Sequence, residues 1–364
     1  FIFSLFTLFK VNKRRIVFSS FYGKQYSGDP KAIYELLLKL SSDYECIWVL
    51  NDRKSRVPSV YKVVSRYSLS HLYYLATAKY RIDNCQESAC LKPQLGTVYL
   101  QTWHGSPFKR IAQDLGDDFC LIKRDWLLDS SYWTYLLSPS PLIGKLFGNA
   151  FKVEDNKVLN FGNPRNEVLL GSTETNKSKI LKKIGVKKNK KIILYAPTFR
   201  DDELVFDLKL SFDLLKKHFS RDYVFLIRMH SNISHIKDSG FDGDFMMDVS
   251  RYDDIQDLFV ISDILITDYS SVFFDYSLMD KPMIFYPYDL TKYQEQLRGS
   301  YFEYESFVPG EIVINEEELI NEIYRLQDTS ALQASIGLTK SFRQKFNPTV
   351  EGCTLKILKE VGII

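Results

Sequence analysis

Short runs rich in β-branched and aromatic residues alternate with stretches of helical periodicity along almost the whole chain, and this alternation restricts the fold more than any other feature. Ile16–Ser19 reads as a first strand, followed by a polar loop with Gly23, Gly28 and Pro30, and then by helical spacing from Ala32 to Leu40. Ile47–Leu50, Tyr61–Val64, Tyr80–Asp83, Val98–Gln101, Tyr135–Ser138 and Val158–Asn160 are further strand candidates. A second set runs through Ile192–Tyr195, Tyr223–Ile227, Ile264–Thr267 and Met283–Tyr286, and the stretch from about Glu316 to Ile364 reads as mostly helical. Such alternation gives a parallel sheet with helices on both faces. Two sets in 364 residues predict an α/β protein of two Rossmann-like parallel-sheet domains facing a cleft, with C-terminal helices. Ligands of such sheets bind beyond the carboxyl ends of the strands.

The expected divisions are an apolar then basic segment (1–14), a first domain (15–172), a second domain (173–345) and a closing helix (346–364). The polar, lysine-rich stretch from Gly171 to Lys191 reads as a solvated helix and loops near the boundary. The opening Phe1–Phe9 is apolar and is followed by Lys10, Lys13, Arg14 and Arg15. It is too short to span a bilayer, which takes about 20 residues. It suits an interfacial anchor with a basic collar, the end of a longer span, or a helix packed on the domain. Its charges follow the apolar run, unlike those of a signal peptide. The chain begins at Phe1, which suggests a fragment of a longer product. A formal net charge of only +3 gives no reason to expect nucleic acid as a partner. Five cysteines without paired metal spacing read as reduced thiols.

The polar residues of interest fall at predicted strand ends. In Gln101-Thr102-Trp103-His104-Gly105-Ser106-Pro107 a strand runs into a histidine and then a Ser-Pro pair that reads as a helix start. That places His104 on a strand-to-helix bend suited to an anion or a reacting oxygen, with Lys109 and Arg110 on the following helix. In Tyr195-Ala196-Pro197-Thr198-Phe199-Arg200 an arginine follows a strand, where it can bind phosphate or pair with Asp201 or Asp202. In Ile227-Arg228-Met229-His230 the arginine and the histidine share one face of an extended strand. In Ile264-Leu265-Ile266-Thr267-Asp268-Tyr269-Ser270-Ser271 a strand leads into hydroxyl residues that cap a helix over Val272–Met279, a signal for a phosphate site. Asp268 there can hold a ribose, a metal or a backbone turn. Arg298-Gly299, with Tyr301 and Glu303, reads either as a closing loop over a nucleotide or as plain structure. His71, His218 and His235 lack such framing and read as structural or surface groups.

Together these motifs resemble the series found in the CDP-glycerol:poly(glycerophosphate) glycerophosphotransferases, the teichoic acid primases and polymerases. Asp280-Lys281-Pro282, Tyr288-Asp289, Tyr26-Ser27-Gly28-Asp29-Pro30 and Gly162-Asn163-Pro164-Arg165-Asn166 are similar to that family in the same order, over roughly Arg15 to Phe346. Two stretches depart from its pattern: Glu167 follows Asn166 where an aspartate is expected, and Ser27-Gly28-Asp29-Pro30 stands in place of an Asp-Asn form. The resemblance implies a GT-B fold and transfer of glycerol phosphate or ribitol phosphate from CDP-glycerol or CDP-ribitol. The acceptor would be a hydroxyl of a lipid-linked polymer at the cytoplasmic face of the membrane, reached by a peripheral enzyme on an anionic membrane surface. His104 then matches the proposed general base, and His230 the second essential histidine beside the donor diphosphate. Arg200, Thr267, Ser270 and Ser271 match donor-contacting positions. Arg228, Asp268 and Arg298 join them as donor-side candidates, and Gly105, Lys109 and Tyr26 as acceptor-side or secondary ones. A capsule-polymer transferase or a nucleotide-sugar glycosyltransferase of the same fold is the alternative. No metal ligand set is expected from spacing, although a diphosphate donor can arrive with Mg²⁺.

Overall fold

The structure is a computed structural model and describes residues 2–40, 43–51, 57–116, 119–187, 189–198, 210–229, 241–290, 299–348 and 350–364. Two compact units are present: Phe1–Glu167 with Pro348–Ile364, and Val168–Asn347. The break after Glu167 lies just before the lysine-rich helix Glu174–Ile184, which has no buried residue and is closed by a left-handed Gly185.

The first unit holds a parallel sheet of β1 (Asn12–Ser19), β2 (Glu45–Val49), β3 (Lys62–Val64), β4 (Ala78–Asp83), β5 (Val98–Gln101), β6 (Tyr135–Leu137) and β7 (Val158–Leu159). Their order is β3-β2-β1-β4-β5-β6-β7 among the described residues. The second unit holds β8 (Lys191–Ala196), β9 (Tyr223–Ile227), β10 (Met246–Asp248), β11 (Ile264–Thr267), β12 (Met283–Phe285) and β13 (Glu311–Ile312), in the order β10-β9-β8-β11-β12-β13. All their pairings are parallel. Each sheet therefore reverses its winding once, between β1 and β4 and between β8 and β11. These switch points are where loops diverge and leave a crevice.

Strands buried on both faces carry nearly continuous apolar runs, as Ile192–Tyr195 and Ile264–Ile266 do. The first core gathers Ile16, Phe18, Trp48, Ile82 and Leu100 under the helix Gly28–Lys39. The chain returns to this core at its far end. Ile357 and Leu358, from the helix Cys353–Glu360, join it with Val361 and Ile363. The hydroxyls of Tyr44 and Tyr80 donate to the Ile363 and Gly362 carbonyls. The closing segment thus consists of the end of a long helix, Thr329–Phe346, and a separate helix that belongs to the first unit.

The N-terminal segment forms a short helix, Ile2–Phe6, with Phe3 buried against Val17 and Leu75. Ile2, Leu5, Leu8 and Phe9 remain exposed. The expected basic collar is narrower than the sequence suggests. Arg15 is a buried β1 residue paired with Glu45, and Arg14 pairs with Asp43, so Lys10 and Lys13 are the cations left beside the apolar face. Among the described residues no helix is long and apolar enough to cross a membrane.

Candidate active site

His104 lies just past β5, beside the β1/β4 switch point of the first sheet. No helix follows it. Ser106 and Pro107 lead into an extended segment (Ile111 φ −134°, ψ 162°) and then a single 3₁₀ turn, Ala112–Asp114. The local cap signal loses to tertiary packing: Phe108, Ala112 and Leu115 are all buried from this irregular path. The helix N-terminus expected beside His104 is therefore absent, and Lys109 and Arg110 lie on the loop.

Three consecutive carbonyls at the end of β4 hold this loop, and the middle one binds the imidazole. Thr102 N donates to Asp83 O at 2.9 Å, His104 Nδ1 to Asn84 O at 2.7 Å, and Gln101 Nε2 to Cys85 O at 2.9 Å. Gln101 Oε1 also accepts from Trp103 N at 2.9 Å, so one amide side chain links the segments that follow β4 and β5. Trp103 sits at a left-handed φ of 53°, stacks on His104 with centroids 4.6 Å apart, and presents its ring to Phe151 and Trp126. A non-glycine residue at positive φ persists where its surroundings over-determine it, a frequent property of functional sites. A carbonyl can only accept, so Nδ1 carries the hydrogen of the neutral ring and Nε2 carries the lone pair. His104 is an exposed residue.

The other motif residues of this unit serve mainly as scaffold. Asp29 is fully buried in the first turn of its helix and pairs with Arg165, accepting from both the Arg165 guanidinium and its backbone N–H. Two motifs 136 residues apart thus meet in one ion pair. Tyr26 packs its ring on Trp48 and donates to Glu35. Gly105 is partly buried beside His104. Behind the β4 end lies a buried acidic group that sequence reasoning did not single out. Burial pushes the carboxyls of Asp83 and Asp129 up to about 7. Glu87 beside them pairs with Arg66. Asp83 ends β4 and Glu87 follows four residues later, and that strand-end placement was the available signal.

In the second unit the residues after β8 and β11 are knotted together. Thr267 Oγ1 donates to Ala196 O at 2.7 Å, and Asp268 Oδ1 accepts from Thr198 N at 2.8 Å and from Tyr269 N at 2.6 Å. Of the roles open to Asp268, the geometry shows the backbone turn. Ser270 and Ser271 are half-buried, and Ser271 precedes the helix Val272–Tyr276 without a side-chain cap bond. Arg228 directs its guanidinium to the carbonyls of Tyr252 and Asp253, and burial lowers its pKa to about 10. Lys281 donates to the carbonyls of Phe259, Val260 and Ser262 and so closes the end of the helix Ile255–Ile261. Arg200, His230, His235 and Arg298 lie outside the described residues. His71 is buried, accepts from Tyr67 N, and is held by burial near pKa 4, as suits a structural group; exposed His218 lies 3.1 Å from the Tyr324 hydroxyl. No cluster of metal-ligating side chains occurs among the described residues.

Residues 1–357 match the family described as CDP-Glycerol:Poly(glycerophosphate) glycerophosphotransferase. The chain belongs to this family. Among glycerophosphotransferase relatives, a teichoic acid glycerol-phosphate transferase of Staphylococcus aureus is 38% identical over 372 residues, covering 96% of this chain and 94% of that protein. A teichoic acid poly(glycerol phosphate) polymerase of Staphylococcus epidermidis is 39% identical over 332 residues, covering 87% of this chain but 46% of that protein. The chain therefore spans about half the length of some curated polymerases it matches. The solved wall teichoic acid polymerase TagF superposes with a TM-score of 0.92 at 35% identity, over 100% of this chain and 92% of that one. With two parallel-sheet units and this match, the chain has a GT-B-like fold.

Proposed function

We propose that this chain transfers glycerol phosphate from CDP-glycerol to a hydroxyl of a lipid-linked teichoic acid or related envelope polymer and releases CMP. The observation that carries the reading is the His104 imidazole, fixed by Asn84 O in the tautomer whose Nε2 lone pair can take a proton. The acceptor oxygen attacks the phosphorus that bears glycerol, its proton passes to Nε2, and the bond from that phosphorus to the bridging oxygen breaks as CMP leaves. Such a transfer depends on positioning and charge neutralisation more than on covalent help from the protein. Family resemblance assigns Arg200, His230, Thr267, Ser270 and Ser271 to the donor side, with Arg228, Asp268 and Arg298 as further donor-side candidates; Tyr26, Gly105 and Lys109 of the first unit are acceptor-side or secondary candidates.

Glycerol is favoured over ribitol as the transferred polyol, because glycerol-phosphate relatives match at 36–39% identity and ribitol-phosphate relatives at 28–30%. A TagF variant has also been solved after a CDPG soak, at 34% identity to this chain. The exposed Ile2, Leu5, Leu8 and Phe9 beside Lys10 and Lys13 suit shallow contact with an anionic membrane at its cytoplasmic face.

The test is a donor panel of CDP-glycerol, CDP-ribitol and UDP- and CMP-sugars with CMP or nucleotide release as the readout, with and without Mg²⁺. CMP release from CDP-glycerol, lost in a folded His104→Ala variant, is the expected result. Turnover of nucleotide sugars alone, or near-normal activity in His104→Ala, overturns the donor or the base assignment respectively.

A further inference from the structure

One residue beside the base has a second set of bonds that base catalysis alone does not require. Asn84 follows β4 at the switch point and is 1% exposed. Its main-chain carbonyl accepts from His104 Nδ1, while its side chain reaches the loop after β1. Oδ1 accepts from Phe21 N at 2.8 Å, and Nδ2 donates to Ser20 Oγ at 3.0 Å. Ser20 Oγ in turn donates to Ser27 O at 2.8 Å. These polarities fix the amide: a backbone N–H only donates, and the Ser20 hydrogen is already committed to a carbonyl. A side chain with one acceptor and one donor at this reach is an asparagine.

The loop it holds is under strain. Phe21, Tyr22 and Gly23 follow one another at φ 46°, 57° and 75°. The Phe21 ring lies 5.9 Å from that of His104. Gly28, at φ 70°, approaches so closely that a Cβ there would stand 3.1 Å from Asn84 Nδ2. Left-handed residues in series persist only where neighbouring groups dictate them, and Asn84 supplies the bond at the first of the three. The carbonyls on either side of Asn84 are also taken, by Thr102 N and by Gln101 Nε2. The peptide therefore cannot rotate without breaking bonds on both sides.

We infer that Asn84 is a positioning residue that couples the Ser20–Gly28 loop to the tautomer and direction of the His104 imidazole. It touches no reacting atom; it acts by aiming the carbonyl that keeps the hydrogen on Nδ1. This inference rests on the reading of His104 as the base, and its primary readout does not depend on turnover.

The experiment compares the full chain with Asn84→Ala, Asn84→Asp and Ser20→Ala. The ¹⁵N NMR shifts of the His104 ring report the tautomer, thermal unfolding reports the fold, and kcat and the KM for CDP-glycerol report the reaction. Asn84→Ala is expected to lose Nδ1–H tautomer population and about 10–100-fold in kcat, the scale of a small misplacement of a reacting group. The donor KM is expected to stay within about twofold, the mark of an interaction that matters after binding. Asn84→Asp restores the acceptor for Phe21 N and is expected to recover part of both losses. Unchanged tautomer and kcat in a folded Asn84→Ala overturn the inference, as do losses that track unfolding with Asn84→Asp no better than Ala. If Asn84→Ala fails to fold, Ser20→Ala decides: a smaller shift toward the other tautomer supports the inference and no shift overturns it. Activity retained by His104→Ala would sink the base assignment, whereas the tautomer readout would still judge Asn84.

Discussion

Gln101 and Trp103 share a side-chain bond that shapes the whole His104 loop: Gln101 Oε1 accepts from Trp103 N at 2.9 Å while the same amide donates to Cys85 O. Both groups it satisfies are main-chain and buried. Gln101→Ala is therefore expected to leave a donor and an acceptor unpaired, each at about 1–3 kcal/mol of stability, and to release Trp103 from its left-handed φ. Urea unfolding measures the first effect. The second shows as a fall in kcat larger than the stability loss can explain.

The Asp29–Arg165 pair calls for a different comparison. Removing one partner of a buried pair strands the other charge, typically for about 3–5 kcal/mol. Arg165→Met alone is expected to cost that much or to prevent folding of the first unit. The double variant Arg165→Met with Asp29→Asn is expected to recover a large part of it. Chemical denaturation of the three proteins gives the coupling directly; a double variant no better than Arg165→Met alone contradicts the assignment.

Asp129 gives stability a pH dependence of predictable sign. Burial holds its carboxyl up at about 7, so between about pH 4 and pH 7 the folded chain keeps a proton that the unfolded chain has released. Stability from this group is present below that window and is lost as pH rises through it. Asp129 Oδ2 accepts from Glu87 N and from Trp133 Nε1, bonds that an asparagine oxygen can also accept. Asp129→Asn should match the parent at pH 4 and exceed it at pH 8 by on the order of 4 kcal/mol. A constant difference across that range would show that the group titrates normally.

Two glycines provide a steric contrast. A Cβ on Gly310 would land on the Met283 carbonyl oxygen, so Gly310→Ala must displace the β12 backbone and should destabilise strongly. Gly337 is exposed within the helix Thr329–Phe346, and nothing stands near its would-be Cβ. Gly337→Ala is expected to stabilise by roughly 0.5–1 kcal/mol, since alanine is the better helix former and the less flexible when unfolded. Melting temperatures of the two variants should move in opposite directions.

The β-rich runs of the sequence overlap strands of the two sheets because doubly covered parallel strands must be apolar throughout, which leaves a local trace. β10 and β13 left almost none: Met246–Asp248 and Glu311–Ile312 are too short to show a period, and their pairing is decided by neighbours far away in the chain. The same distinction divides the site. His104 stood out because a lone histidine at a strand end is visible in one dimension. Asn84 did not, because its importance comes from three partners, at Phe21, Ser20 and His104, that only the parallel sheet brings to it. The false helix after Ser106 is the converse case, a sound local signal overruled by the burial of Phe108 and Leu115.

The return of Ile357, Leu358, Val361 and Ile363 to the core built on β1 fixes an order of assembly. The second unit is one uninterrupted length of chain, whereas the first needs residues from both sides of it. As the polypeptide leaves the ribosome, the second unit is fully supplied while the first still shows an open apolar face where the Cys353–Glu360 helix will sit. The part of the molecule that carries His104 is begun first and sealed last.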